Sequence, residues 1–304
     1  MSSYLDLEET SAWAFPFEEN AFLRGVKTEG LKNSTVHFLH GNGLCGKTYW
    51  PMLKGLTEQY ALMLHDCVGH GDSDPGRGFI SWEQSAEHAY DVIQYDISRG
   101  VLTGPLLGLG HSFGGVLTLK LAAKYPELFH SVIVMDPIIM PEAFIVMSAD
   151  MPNPLADKTR KRRNHWDTPE QAFTYFRGKM AYKDWSDESL NGFIAHALCG
   201  NKDGGLSLKC PPSVEADIFS SRPEALWDDI RRINVPTTIL YGDNSYPFME
   251  SACQQAGENP HVTIEKLEGS HCFMLENTSM ACERVLFHYE RMMTINTAKK
   301  VVIS

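Results

Sequence analysis

Residues 106–115 read LLGLGHSFGG, an apolar run that leads directly into a serine flanked by glycines. The run predicts a strand from Pro105 to Leu109, and the residues from Phe113 to about Lys124 predict a helix. A strand that turns into a helix through Gly-x-Ser-x-Gly exposes the serine hydroxyl at the end of a sheet. The glycines leave room for so tight a turn, because they carry no side chain. We therefore predict that Ser112 is a nucleophile.

The rest of the chain alternates between short apolar runs and longer segments of helical period. This alternation is typical of a mostly parallel, twisted sheet with helices on both faces. It stops for roughly ninety residues after Asp136 and resumes at Pro236, which indicates an insertion. We predict an α/β core formed by residues 1–137 and 224–304, with an inserted segment at 138–223. The predicted strands are 35–39, 61–65, 105–109, 131–135, 236–241 and 262–267; the predicted helices are 47–58, 82–98, 113–124 and 273–292.

Composition narrows the class of protein. The 304 residues include 38 acidic and 27 basic side chains, and the formal net charge of −11 argues against nucleic acid or an anionic membrane as partner. The first twenty residues lack the basic and apolar regions of a signal peptide, and no apolar run is long enough to anchor the chain in a bilayer. The seven cysteines show neither metal-type nor redox-type spacing, which favours a cytoplasmic location and no metal site.

Three turns together resemble the α/β-hydrolase superfamily. Besides the turn at Ser112, they are His40-Gly41-Asn42-Gly43-Leu44 and Gly69-His70-Gly71-Asp72-Ser73, each after a predicted strand. The resemblance covers nearly the whole chain and implies the α/β-hydrolase fold. It also implies that the backbone N–H groups of Asn42 and Phe113 form an oxyanion hole. His70 is expected to support the scaffold.

The resemblance also selects the general base among twelve histidines. His271 stands in Glu268-Gly269-Ser270-His271, after the last predicted strand and before the final helix. The superfamily places its catalytic histidine in that loop, in the chain order serine, acid, histidine. We therefore expect His271 to accept the proton of Ser112.

The acid is less directly indicated. The family usually carries it three residues beyond a glycine after the second-last strand, and here that position holds Ser245. Asp243 stands two residues earlier, which displaces a side chain by about 6–7 Å in an extended segment. Some relatives carry the acid after the preceding strand, where this chain has Asp136 followed by Pro137. We predict Asp136 as the acid, with Asp243 as the alternative.

The insertion is rich in aromatic residues, and in the superfamily such a segment folds as a helical cap over the sheet. Most of its aromatic side chains are expected to pack within the cap. Met140, Phe144 and Met147 are the predicted pocket residues, because they follow Asp136 most closely.

These observations predict a serine hydrolase of the carboxylesterase type that forms an acyl-enzyme on Ser112. The expected partner is a small-molecule ester with a small to medium acyl chain, and neither a metal nor an organic cofactor is expected. The protein is expected to be a monomer or a homodimer. Cleavage of C–C bonds, thioester hydrolysis and acyl transfer would use the same triad and remain alternatives. A non-catalytic protein that binds a ligand or transmits a signal on the same scaffold is the alternative of another class.

Overall fold

The strands of the protein form one large sheet and one small hairpin. The structure is a computed structural model, which describes residues 7, 10–28, 30, 32–147, 153–202 and 204–303. Side chains are described in these ranges apart from 146, 147 and 295–303. The strands are β1 (Thr10–Glu18), β2 (Ala21–Thr28), β3 (Thr35–Leu39), β4 (Ala61–Asp66), β5 (Leu106–His111), β6 (Ser131–Met135), β7 (Leu198–Gly200), β8 (Leu206–Leu208), β9 (Thr237–Gly242) and β10 (Val262–Leu267).

Helices cover both faces of the large sheet. The helices are α1 (Trp50–Leu53), α2 (Trp82–Ser98), α3 (Ser112–Lys124), α4 (Glu142–Met147), α5 (Pro154–Arg160), α6 (Pro169–Arg177), α7 (Asp187–Ala197), α8 (Pro212–Ser220), α9 (Leu226–Arg232), α10 (Met249–Ala256), α11 (Phe273–Glu276) and α12 (Thr278–Ile303). Two 3₁₀ helices, Gly46–Tyr49 and Lys54–Glu58, flank α1. None of the described helices has the length and apolar character needed to cross a lipid bilayer.

The order of strands in the large sheet is β1-β2-β4-β3-β5-β6-β9-β10. Neighbouring strands of the series β4-β3-β5-β6-β9-β10 in this sheet run parallel. Their register pairs His111 with Met135 and Met135 with Leu240. Because the carboxyl ends of parallel strands meet at one edge of the sheet, the residues that follow β5, β6 and β9 lie together there. The predicted fold class, a mostly parallel sheet flanked by helices, is confirmed.

The antiparallel hairpin of β1 and β2 was absent from the sequence-based prediction. Its first strand is half-exposed along most of its length, so its apolar and polar residues do not mark a buried strand. The final helix also differs, because the predicted segment 273–292 is divided into α11 and α12 at Asn277.

The segment between β6 and α9 holds five helices and the β7–β8 hairpin within its described residues, so it is not purely helical. Its aromatic side chains form one cluster, which consists of Trp166, Tyr175, Phe176, Tyr182, Trp185 and Phe193. The ring centroids of Phe176 and Phe193 lie 5.0 Å apart. The cluster is continuous with buried residues beneath it, including Phe273 and Met274. The boundaries at 138 and 223 stay a prediction.

Polar contacts fasten this segment to the rest of the molecule. Lys209 Nζ lies 2.6 Å from Asp72 Oδ1, and the Ser186 N–H donates to the Leu275 carbonyl over 2.8 Å. These two contacts connect the segment to the loop after β4 and to α11.

Buried histidines make the fold sensitive to acid. Burial lowers the pKa of His37 and His70 to about 3 and that of His40 to about 4. Burial also holds the pKa of His65 and His111 well below the ordinary value. Below pH 6.5 these histidines therefore bind more protons in the unfolded chain than in the folded protein, so the stability they contribute is complete above pH 6.5 and is lost as the pH falls toward 4.

Each such histidine removes about 1.4 kcal/mol of unfolding free energy per pH unit in that window. Urea unfolding at pH 7.5 and pH 5.5 is expected to show a loss of several kcal/mol, a large part of the stability of an ordinary domain. Equal unfolding free energies at the two pH values would contradict the burial of neutral imidazoles.

Candidate active site

Ser112 sits in a strained turn between β5 and α3. Its backbone φ angle is +54°, in the left-handed region that residues other than glycine rarely adopt. The flanking glycines are required by contact, because a Cβ on Gly110 would lie 2.5 Å from the Gly114 carbonyl oxygen. A Cβ on Gly114 would lie 2.3 Å from the Leu39 carbonyl oxygen. The turn therefore has the geometry that the motif predicts.

The structure brings Ser112, His271 and Asp136 into one chain of hydrogen bonds. His271 Nδ1 lies 2.7 Å from Asp136 Oδ1, and His271 Nε2 lies 2.9 Å from Ser112 Oγ. A carboxylate only accepts, so Nδ1 carries the proton and Nε2 accepts the hydrogen bond of the serine hydroxyl. This tautomer leaves Nε2 free to receive the serine proton.

Asp136 is fully buried and is held by three donors. Besides His271, the Gly242 N–H donates to its Oδ2 over 2.8 Å, and the Ser245 hydroxyl donates to its Oδ1 over 2.6 Å. Ser245, which occupies the usual position of the acid, thus orients the carboxylate that stands on the neighbouring strand. The sequence showed that Ser245 cannot be the acid, but it gave no signal for this supporting contact.

Asp243, the alternative acid, accepts a hydrogen bond from a backbone N–H group instead of from the imidazole of His271. Its Oδ1 accepts from the Gly269 N–H over 3.0 Å, two residues before His271. Glu276 accepts from the Ser270 N–H over 3.0 Å on the other side of the same loop. Asp243 therefore helps to shape the loop that carries His271.

Asn42 and Phe113 line the same cavity as Ser112, and their role as an oxyanion hole stays a prediction. Phe113 is the second residue of α3, so its N–H has no acceptor one turn earlier within the helix. The Asn42 side chain is anchored, because its Nδ2 donates to the Glu215 carbonyl over 3.0 Å. Next to it, the Gly43 N–H donates to His70 Nε2 over 3.1 Å. His70 is thus a scaffold residue of this loop.

His111 and Tyr49 connect the Asn42 loop with the His271 loop. The Tyr49 hydroxyl lies 2.6 Å from His111 Nδ1 and accepts from the Gly41 N–H over 3.1 Å. Since the hydroxyl donates to Nδ1, His111 Nε2 carries the proton and donates to the His271 carbonyl over 2.9 Å. Sequence reasoning did not identify Tyr49, because no local motif links it to a residue more than sixty positions away.

A cavity of about 370 Å³ adjoins Ser112. Most of its lining is apolar, and it includes the predicted pocket residues Met140 and Phe144. The side chain of Met147, the third predicted pocket residue, lies outside the described side chains. The lining residues are Asn42, Trp82, Ser112, Phe113, Ile138, Met140, Phe144, Asn153, Pro154, Leu155, Ile218, Phe219, Ser220, Ser221, Arg222, Pro223, Tyr246 and Phe248.

Within the described residues, no group of three or more histidine, cysteine, aspartate or glutamate side chains could hold a metal ion. All seven cysteines are described, and each is a free thiol.

The chain is similar to known proteins in both sequence and fold. A model of the alpha/beta hydrolase family matches residues 38–285. Mouse monoglyceride lipase is 32% identical over 124 residues, which is 39% of this chain and 40% of the lipase. A type I acyl-CoA thioesterase of Penicillium brevicompactum is 27% identical over 226 residues, which is 68% of this chain and 45% of the thioesterase. The matches therefore span less than half the length of each of these curated relatives.

Among solved structures, a peroxisomal alpha-beta hydrolase of Saccharomyces cerevisiae superimposes with a TM-score of 0.77. It is 18% identical, and the alignment covers 94% of this chain and 89% of the yeast chain. At this identity the likeness concerns the fold.

Proposed function

We propose that this chain, which belongs to the alpha/beta hydrolase family, is a serine hydrolase that cleaves carboxylic esters through an acyl-enzyme. The observation that carries the proposal is the unbroken chain of hydrogen bonds from Asp136 through His271 to Ser112. A serine hydroxyl is a weak nucleophile alone, and an oriented base within hydrogen-bonding distance activates it.

In the proposed first step, Ser112 Oγ attacks the acyl carbonyl carbon while His271 Nε2 takes the hydroxyl proton. Asp136 stabilises the imidazolium that forms and holds its orientation. His271 then returns the proton to the departing alcohol as the C–O bond breaks. In the second step, water gives a proton to His271 and attacks the acyl carbonyl carbon. The bond from that carbon to Ser112 Oγ then breaks as His271 returns the proton to Oγ, which releases the acid and restores the serine hydroxyl.

The negative charge on the carbonyl oxygen needs donors that are already in position. The backbone N–H groups of Asn42 and Phe113 are proposed to supply them. The anchored Asn42 side chain and the Tyr49–His111 connection support this role, since both limit movement of the loop. Removing one such donor typically lowers turnover by about 10²–10³.

The cavity supports an uncharged acyl ester of small to medium size. Its volume of about 370 Å³ is at the lower end of ligand pockets. We propose that residues 138–223 act as a cap, because Met140, Phe144 and Leu155 contribute walls of the cavity next to Ser112. The cytoplasmic location and the oligomeric state stay predictions.

Thioester hydrolysis is the second candidate, because the thioesterase relative aligns with 68% of this chain. A panel of oxygen esters and thioesters with matched acyl groups from acetyl to decanoyl tests the choice. The proposal predicts that kcat/KM on oxygen esters equals or exceeds that on thioesters and peaks at a small or medium acyl chain. A preference for thioesters of at least about tenfold would replace esterase by thioesterase, and inactivity on both series would contradict the proposal.

A further inference from the structure

Four aromatic rings line up from the candidate base to the outer part of the cavity. The Tyr246 ring lies 4.8 Å from the His271 ring, measured between centroids. Phe248 stacks on Tyr246 at 5.4 Å with an interplanar angle of 2°, and Phe144 stacks on Phe248 at 6.4 Å with an angle of 23°. We call Tyr246, Phe248 and Phe144 the aromatic wall.

The aromatic wall is held in a fixed position relative to Ser112. Tyr246 directly follows Ser245, whose hydroxyl binds Asp136, so the loop that carries the first ring also supports the acid. In the sequence, Pro247 stands between Tyr246 and Phe248, and its ring restricts the backbone there. The Met249 N–H donates to the Tyr246 carbonyl over 2.8 Å and closes the turn.

The rings of the aromatic wall contribute to the lining of the cavity instead of being sealed in the core. Tyr246 and Phe248 are half-buried, and Phe144 is 46% exposed, so the cavity meets solvent at that end. Large aromatic side chains are usually buried when they serve only packing. Here they present ring surface to whatever occupies the cavity.

We propose that the aromatic wall binds a planar aromatic part of the substrate, and that the natural substrate is therefore an ester bearing an aryl group. This inference rests on the proposed function. Aromatic rings attract one another beyond the effect of buried area, because the negative face of one ring meets the positive edge of another. A saturated ring of similar size is more apolar but lacks this distribution of charge, so a preference for the aryl compound reports ring contact and not hydrophobicity.

The test compares methyl 3-phenylpropanoate with methyl 3-cyclohexylpropanoate as substrates of the full-length enzyme. We expect a kcat/KM ratio of about ten in favour of the phenyl ester, as contacts with one or two rings would produce. A ratio of one or below would overturn the aromatic wall as an aryl site.

Substitutions in the aromatic wall test whether these rings cause the preference for the phenyl ester. Phe144→Leu and Phe248→Leu are each expected to lower the ratio toward one, and the half-exposed position of Phe144 makes the first compatible with folding. Phe287→Leu is the matched control, since Phe287 is exposed on α12 and is not part of the cavity lining. A ratio that is unchanged in Phe144→Leu and Phe248→Leu, or that falls equally in Phe287→Leu, would contradict the proposal.

Equilibrium binding separates this inference from the proposed function. Calorimetric titration of Ser112→Ala with the same two esters measures Kd without turnover. A phenyl ester that binds about five- to tenfold more tightly supports the aromatic wall even if the wild-type protein hydrolyses neither ester, a result that would count against the proposed function alone. Equal Kd values would overturn the aromatic wall, whatever the hydrolytic activity.

Discussion

Ser112→Ala is expected to lower turnover of an activated butyrate ester by about 10⁶-fold, the scale seen when a triad nucleophile is removed. The reason is direct, since His271 Nε2 then has no hydroxyl to deprotonate and no acyl-enzyme forms. Residual activity above the uncatalysed rate is expected, because the cavity and the proposed oxyanion donors, the N–H groups of Asn42 and Phe113, would still act on the ester.

The fold of this variant should be unaffected. Ser112 is buried and makes its side-chain hydrogen bond to His271, so alanine removes a hydroxyl without changing the turn. Thermal unfolding monitored by circular dichroism provides the control. Activity within tenfold of the wild type in a folded Ser112→Ala protein would exclude Ser112 as the nucleophile.

Asp136→Asn is expected to lower kcat by about 10⁴, because an amide favours the wrong tautomer of the histidine. The carboxylate accepts from three donors, His271, Gly242 and Ser245. An asparagine offers one acceptor atom and one donor group, so keeping the Gly242 hydrogen bond places its NH₂ group toward His271 Nδ1, which can accept only when the imidazole proton is on Nε2. The imidazolium formed during catalysis also loses its charged partner.

Asp243→Asn is the matched control, with the same chemical change on the adjacent strand. Asp243 accepts only a backbone hydrogen bond from Gly269 among the described contacts of its side chain, and an asparagine oxygen can replace it. We expect kcat within about threefold of the wild type. A large loss in Asp243→Asn with near-normal activity in Asp136→Asn would reverse the assignment of the acid.

The core of the fold and the candidate triad could be predicted because their signals are local. The strand, tight turn and helix around Ser112 are contiguous in sequence, and His271 follows a strand at a position set by the family pattern. Asp136 was more difficult, because its selection depended on Ser245 standing where an acid was expected. The hydrogen bond between these two residues spans 109 positions, so no local pattern records it.

Other features depend on tertiary contacts that no local pattern records. Tyr49 and His111 meet only after β3 and β5 pair, which brings their loops to the same edge of the sheet. The aromatic wall joins Phe144, from the insertion, with residues that follow β9. The β1–β2 hairpin lies at the edge of the sheet, where half-exposed strands lack a clear apolar alternation.

Covalent labelling tests the central claim most directly. The folded protein is treated with a fluorophosphonate, and the adduct is located by intact mass and peptide mass spectrometry. The account predicts one adduct per chain, on Ser112, with labelling absent from Ser112→Ala and much slower in Asp136→Asn. The absence of an adduct in folded wild-type protein, or an adduct on a residue other than Ser112, would contradict it.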